Sequence, residues 1–256
     1  KTRSKATDKI SSMEGDEFKY NKKLNILNVI GNVIIKDTQK DYNIITEEIF
    51  YFKNKEVIET KGDTEAIIES KYNFQSKNVL LLRNEMELSS LYKTTVKDDD
   101  FNVYKLKKFK YLINEELLKG EDIQVITNYS KPKSDTFFFT NGIFDFKKKK
   151  FIAKDTKVFF HKELFDKERL SASDLTEEEK QKAEKFKGQN DPRIFGSSSN
   201  GDEEKTIIHK GVFTSCKLND TCPPWSMEAR KVTHDKIKKN IIYDNAIINV
   251  YDIPVF

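Results

Sequence analysis

The sequence predicts an all-β chain of stacked antiparallel strands. Three observations carry this: a unit of about 30 residues that recurs along the chain, runs inside each unit made of Ile, Val, Phe, Tyr and Thr, and turns of Asn, Lys, Asp and Gly between them. A repeat of that length marks units that bury a continuous core only when stacked. Short β-branched and aromatic runs bounded by turn residues mark strands rather than helices.

Residues 1–22 are polar and aperiodic and carry Gly15, which predicts a loosely held, disordered lead-in. Residues 23–256 are expected to form the β-repeat domain. Tyr42-Asn43-Ile44, Tyr72-Asn73-Phe74 and Phe101-Asn102-Val103 open successive units, 30 and 29 residues apart. Each unit continues with a second apolar cluster, such as Ile49–Phe52 or Val79–Leu82. A polar turn follows (Lys53–Lys55, Arg83-Asn84, Asn114), then another strand-like run (Val57–Thr60, Met86–Leu88, Leu117-Leu118). Gly62 and Gly120 close this run, and the leading half-unit Ile26–Gly31 ends the same way. A fourth unit begins at Thr136-Phe137-Phe138-Phe139 and turns at Lys147–Lys150. A last one begins at Trp225 and turns at Lys238-Lys239-Asn240. Its Asn245 holds the position of Gly62, a substitution that makes sense where a positive φ is required. The stretch of about 165–201 interrupts the pattern: a short exposed helix is expected between Asp174 and Lys187, then a loop over Asn190–Gly201.

The strands should enclose a long apolar seam with one side of each strand wet. Its recurring inward positions are Ile44, Phe74, Val103 and Phe138, two residues after each unit opens, and Ile58, Leu88 and Val125 in the strands after the turns. These side chains either line a path for an apolar ligand or fill a closed core. Leu24–Lys36, with Val29, Val33 and Ile35, reads as an exposed first strand whose open edge is a template for another strand.

The chain has 256 residues, 46 Lys and Arg against 42 Asp and Glu, and 34% charged residues, polar for a compact globule and suited to an elongated one. Arg occurs only at Arg3, Arg83, Arg169, Arg193 and Arg230, so no nucleic-acid-reading patch is expected, and Lys147–Lys150 is a solvated turn. No apolar run reaches the 18 or so residues of a membrane-spanning helix, and the polar start at Lys1 suggests a mature or trimmed fragment. His161, His209 and His234 are each isolated, so neither metal nor other cofactor is expected. There is no phosphate loop or nucleophile elbow, and the acidic run Asp98-Asp99-Asp100 falls between strands, so the chain is not expected to be an enzyme. Cys216 and Cys222 share one loop with Pro223-Pro224. In an oxidising compartment they would pair with each other or with cysteines elsewhere.

The ordered string Gly211-Val212-Phe213-Thr214-Ser215-Cys216, Cys222-Pro223-Pro224-Trp225-Ser226-Met227-Glu228-Ala229, Val232-Thr233-His234-Asp235, Tyr243-Asp244-Asn245-Ala246 and Asp252-Ile253-Pro254-Val255-Phe256 resembles the end of the periplasmic domain of the outer-membrane lipopolysaccharide-assembly (LptD/OstA) family. Asp191-Pro192-Arg193 and the upstream repeats resemble the same family more weakly. The resemblance implies an OstA-type β-jellyroll, or β-taco, that shields lipid A acyl chains. It implies lipopolysaccharide as ligand, received from an LptA-like periplasmic bridge docking on the first edge. It also implies a barrel following Phe256 with an LptE-like plug lipoprotein, and a periplasmic location tethered to the outer membrane. Cys216 matches the family's cysteine, while Cys222 is additional and the lead-in lacks the cysteine usual there. A bond within the loop is one option.

Overall fold

The computed structural model describes residues 4–7, 11–127, 134–161, 176–179, 181, 191–218, 224–238 and 240–255, without the side chains of 4–7 and 11. All strand pairings defined among them are antiparallel. The chain divides into two compact units, Lys1–Ile123 with Asp145–Lys147, and Gln124–Phe144 with Lys148–Phe256.

The first unit holds β1 (Ser4–Thr7), β2 (Ser11–Gly15), β3 (Glu17–Asn21), β4 (Ile26–Asp37), β5 (Tyr42–Phe52), β6 (Val57–Ile68), β7 (Tyr72–Lys77), β8 (Leu80–Leu82), β9 (Glu87–Ser90), β10 (Thr94–Lys97), β11 (Val103–Leu106), β12 (Lys108–Leu112) and most of β13 (Leu117–Ile126). Its long strands bend in the middle and serve two walls. The first half of β4 pairs with β3 and the second half of β5. The second half of β4 pairs with β2 and the first half of β5. β6 divides likewise, its start pairing with β8 and its end with β7. One wall thus continues through β8, β9 and β12, the other through β7, β10 and β11.

The bends are bulges at left-handed residues. Gly31 and Asn32 lie at φ 81° and 48° where the β4–β5 register shifts, and Gly62 lies at φ 91° within β6. Glycine takes that conformation without the clash a Cβ brings. Bulges add a residue to one strand and deepen the twist, which lets one strand turn from wall to wall. In β5 the buried set changes parity across the bend, from Tyr42, Ile44 and Thr46 to Ile49 and Tyr51, so both halves face the core. Gly62 therefore bends its strand where a strand end was expected. Gly120 is not left-handed: the left-handed residue is Asp122, and a Cβ at 120 would meet Leu106 Cδ2 at 2.2 Å.

The second unit holds β14 (Thr136–Asp145), β15 (Lys150–Phe159), β16 (Arg193–Gly201), β17 (Lys205–Thr214), β18 (Trp225–Asp235), β19 (Asn240–Val250) and β20 (Ile253–Pro254). β15 to β20 pair in chain order. Asp155, Lys210 and Asn245 occupy left-handed positions in β15, β17 and β19, so the bend expected at Asn245 is present.

Three expectations are corrected. The lead-in 1–22 contains paired strands: Ser11↔Asp37 and Met13↔Ile35 join β2 to β4, Phe18↔Val29 joins β3 to it, and Met13 is buried. Alternation of small or apolar residues (Met13, Gly15, then Phe18, Tyr20) makes these strands despite their polarity. The open edge expected at Leu24–Lys36 is absent as well, because β4 is paired on both sides and Val29, Val33 and Ile35 are all buried. The stretch from Arg193 to Gly201 is a central strand rather than a loop, since β15 and β17 satisfy its backbone on either side. Its small residues allow close approach: a Cβ on Gly196 would meet Ile208 Cγ2 at 2.2 Å. Within the interrupting stretch, residues 177–179 are helical and Thr176 caps them. Thr176 N donates to the Glu179 carboxylate at 2.8 Å and Glu179 N to Thr176 Oγ1 at 3.4 Å, a capping box. Asp174 and Lys187, where the helix was expected to begin and end, lie outside the described residues.

Candidate functional site

Two rows of inward side chains line the first unit. On one wall Ile35, Ile44, Ala66, Phe74, Val96 and Tyr104 stand side by side across β4, β5, β6, β7, β10 and β11. On the other, Leu27, Tyr51, Ile58, Leu81, Leu88, Tyr111 and Leu118 run from β4 to β13. The sequence-predicted Ile44, Phe74, Ile58 and Leu88 thus fall two on each row, and all four are completely buried. Val103 is buried but lies outside the row, pairing with Lys97 while Tyr104 takes the row position. Val125, in the second unit, is buried. Phe138 is a correction: it is 37% exposed, while Phe137 and Phe139 are 7% and 4% exposed. Three successive Phe leave the phase of a period-two strand open, and packing sets it, since Phe139 meets Phe144 and Phe151 at 6.0 and 5.8 Å.

The rows of the first unit meet. Phe74 lies 5.3 Å from Phe109 and 4.9 Å from Tyr111 between ring centres, and Tyr72 stacks on Phe146 at 4.9 Å. Where the strands bend, the interior is lined by hydroxyls instead. Thr64 Oγ1 lies 3.1 Å from Thr46 Oγ1 and 2.7 Å from Thr60 Oγ1, and Ser76 and Thr94 pair at 2.8 Å. Thr60 Oγ1 also accepts from Val79 N at 2.7 Å. These pairs satisfy buried polar groups along the fold line, which apolar side chains alone could not do. Nothing in the repeat pointed to this role for Thr and Ser.

At the opposite rim, where the turns lie, polar side chains gather around Arg83. Its Nη1 donates to Tyr51 OH at 2.9 Å and to the Glu56 carboxylate at 2.8 Å, and the guanidinium lies over the Tyr51 ring. Its Nη2 is 3.8 Å from the carboxylate of Asp37, whose side chain is 1% exposed. Tyr51 OH donates to Glu56 at 2.7 Å, and burial together with that carboxylate pushes the phenol up to about 12. Burial also raises Tyr42 in the same cluster. Tyr42 OH faces both the Arg83 guanidinium and the Asp37 carboxylate there. Lys40 Nζ donates to Arg83 O at 3.2 Å, and Tyr72 OH to Glu116 at 2.8 Å. A groove of about 500 Å³ lies between the turns here, with Lys40, Asp41 and Glu69 on one side and Met86, Ile113 and Asn114 on the other. In sequence Arg83 is only a turn residue; its rarity among many lysines was the one available signal.

In the second unit, residues quoted for the family resemblance meet in space. Buried Arg193 donates from Nη1 to the carbonyls of Asp191 and Cys216, while Asp191 N donates to Ser215 O at 3.0 Å and Leu218 N to the Asp191 carboxylate at 2.8 Å. Thr214 Oγ1 donates to Trp225 O at 2.8 Å. Cys216 Sγ lies 3.6 Å from the same carbonyl, and its expected partner Cys222 lies outside the described residues. A second polar group joins Asp135 to His161, whose N donates to Asp135 at 3.0 Å. Burial raises the Asp135 carboxyl and lowers His234 and Lys236 nearby.

No protein-family description matches the chain, and no curated protein matches it. Among solved structures it has a likeness to LptH of Pseudomonas aeruginosa, described as the LptA-homologous periplasmic component of the conserved lipopolysaccharide transport device. That likeness has 13% identity and a TM-score of 0.24, over 53% of this chain and 75% of that one. At that identity and score, fold and function rest on this chain's own residues.

Proposed function

We propose that this chain is a periplasmic lipopolysaccharide carrier module of the OstA-type jellyroll class, and that it passes lipid A from an LptA-like bridge to an outer-membrane barrel with an LptE-like plug. The observation that carries the reading is the pair of continuous apolar rows, Ile35 to Tyr104 and Leu27 to Leu118, facing each other between two walls. Leaving a dozen-carbon acyl chain in water costs on the order of 10 kcal/mol. A carrier needs apolar side chains at successive strands along a line, with the sugar left outside, and no catalytic or cofactor chemistry. The ordered string from Cys216 to Phe256 adds the narrower assignment to the assembly protein's periplasmic domain. On that assignment the module is tethered to the outer membrane, and Cys216 and Cys222 are oxidised there.

The test is a photo-crosslinking residue at Phe74 or Leu88 in protein folded and engaged in transport. Capture of lipopolysaccharide supports the reading, and capture of protein alone overturns it. A second reading has its own observation: the ring contacts of Phe74 with Phe109 and Tyr111 describe a filled interior, as in a structural or adhesive β-solenoid. That reading predicts no uptake of acyl chains under any condition.

A further inference from the structure

We propose that the rim around Arg83 is a clasp and the bulged line of threonines opposite it a hinge, so that the first unit opens sideways at the rim to admit apolar chains. The inference rests on the carrier reading above and adds where and how the interior is reached.

Covalent continuity sets the direction of opening. At the fold line β4, β5 and β6 run unbroken from one wall to the other, so the walls cannot part there. At the rim, the connections across are made by side chains. Asp37, the last residue of β4 on one wall, and Lys40 in the turn after it reach Arg83 in the turn after β8 on the other, at 3.8 Å and 3.2 Å. Tyr72, at the start of β7, reaches Glu116 in the turn before β13 at 2.8 Å. Left-handed Gly31, Asn32 and Gly62 supply flexible joints on the hinge side, and no atom lies within 4 Å of a Cβ built on Gly62.

The energetics separate rim from interior. Each rim contact, that of Tyr42 with Arg83 and Asp37 included, exchanges for water when the walls part, so its net worth is small. The apolar rows behind lose contact area when they separate, and only an apolar chain entering between them restores it. Opening is therefore rare alone and favoured by an acyl ligand, which shifts the population through its preference for the parted state.

Spin labels at the exposed turn residues Gln39 and Glu85 report the distance across the rim, and a pair at Asp63 and Lys93 reports the fold line. In full-length protein, Arg83→Met and Tyr72→Phe should each raise the open-to-closed ratio at the rim. For Tyr72→Phe, which deletes one hydroxyl, the rise is about fivefold. The fold-line pair should not change, and palmitate should lengthen the rim distance in every form. If Arg83→Met disturbs both pairs, the milder Tyr72→Phe decides. Identical rim distances in wild type and Tyr72→Phe, with and without palmitate, would overturn the clasp. A rim that opens in the variants but ignores palmitate would uphold the clasp and overturn the carrier reading.

Discussion

The two units use one device to different degrees. Both bend their long strands at left-handed residues, Gly31 and Gly62 in the first unit and Asp155, Lys210 and Asn245 in the second. Yet the largest fully buried side chains among the described residues fall mostly in the first unit, Phe74, Tyr111, Ile44, Ile58 and Leu88 among them, while the second contributes Ile194 and Ile208. The second unit leaves Ile242, Ile247, Val250 and Ile253 of its last strands exposed, and its interior relies on aromatic clusters such as Phe137, Phe139, Phe144 and Phe151. The difference teaches that the bend sets the architecture, while the residues on the inner rows decide how tightly the walls close.

Truncating the inner rows should separate the units most. Phe74→Ala should cost about 3–5 kcal/mol in denaturant unfolding, whereas Phe138→Ala, at an exposed position, should cost less than about 1 kcal/mol. Equal losses would mean that Phe138 is packed as Phe74 is. Breaking the buried hydroxyl pair of the second unit comes next. Thr156 donates to Ser199 at 2.7 Å, and Thr156→Val, which strands Ser199, should cost about 1–3 kcal/mol. The bend itself should matter less. Gly62→Ala forces a left-handed alanine, at about 1–2 kcal/mol, while Asn245→Gly should stabilise the second unit by a smaller amount, read from the shift in midpoint.

The smallest effect is a pH dependence confined to the second unit. Burial lowers His234 below its ordinary 6.5 despite the facing Asp135 and Asp235 carboxylates, and Lys236 adds to the lowering. Above that value histidine is neutral in both folded and unfolded chains and contributes nothing. As pH falls below it, the unfolded chain binds the proton first, so stability declines until the lowered folded value is passed, by about 1.4 kcal/mol for each unit of lowering. His234→Phe should flatten this decline in thermal melts between neutral and acidic pH. A decline of unchanged steepness would assign it to other groups. The proposed oxidation of Cys216 and Cys222 is checked separately, by alkylating periplasmic protein without reductant: both thiols should resist labelling, and full alkylation of both would refute it.

Much of this was legible in the residues. The repeat from Tyr42 to Tyr72 to Phe101, the turns at Lys53–Lys55 and Arg83-Asn84, and the inward positions Ile44, Ile58, Phe74 and Leu88 follow from local pattern, because a strand's two faces alternate and its ends need turn residues. Polarity misled at residues 11–21 and 193–201. There, hydrogen bonds to neighbouring strands hold segments whose composition suggests loops, and composition does not reveal how many neighbours a strand has.

The sequence by itself determined the strand class, the period, the turns and the residues able to go left-handed at Gly31, Gly62 and Asn245, since each depends on neighbours along the chain and on the conformational freedom of one residue type. Tertiary structure alone decided the phase of Phe137–Phe139, the covering of β4 by β2 and β3, the hydroxyl line from Thr46 to Thr94, and the gathering of Asp37, Tyr42, Tyr51, Glu56 and Arg83. These depend on residues tens of positions apart meeting across two walls, and the energy that selects them exists only once the walls face each other.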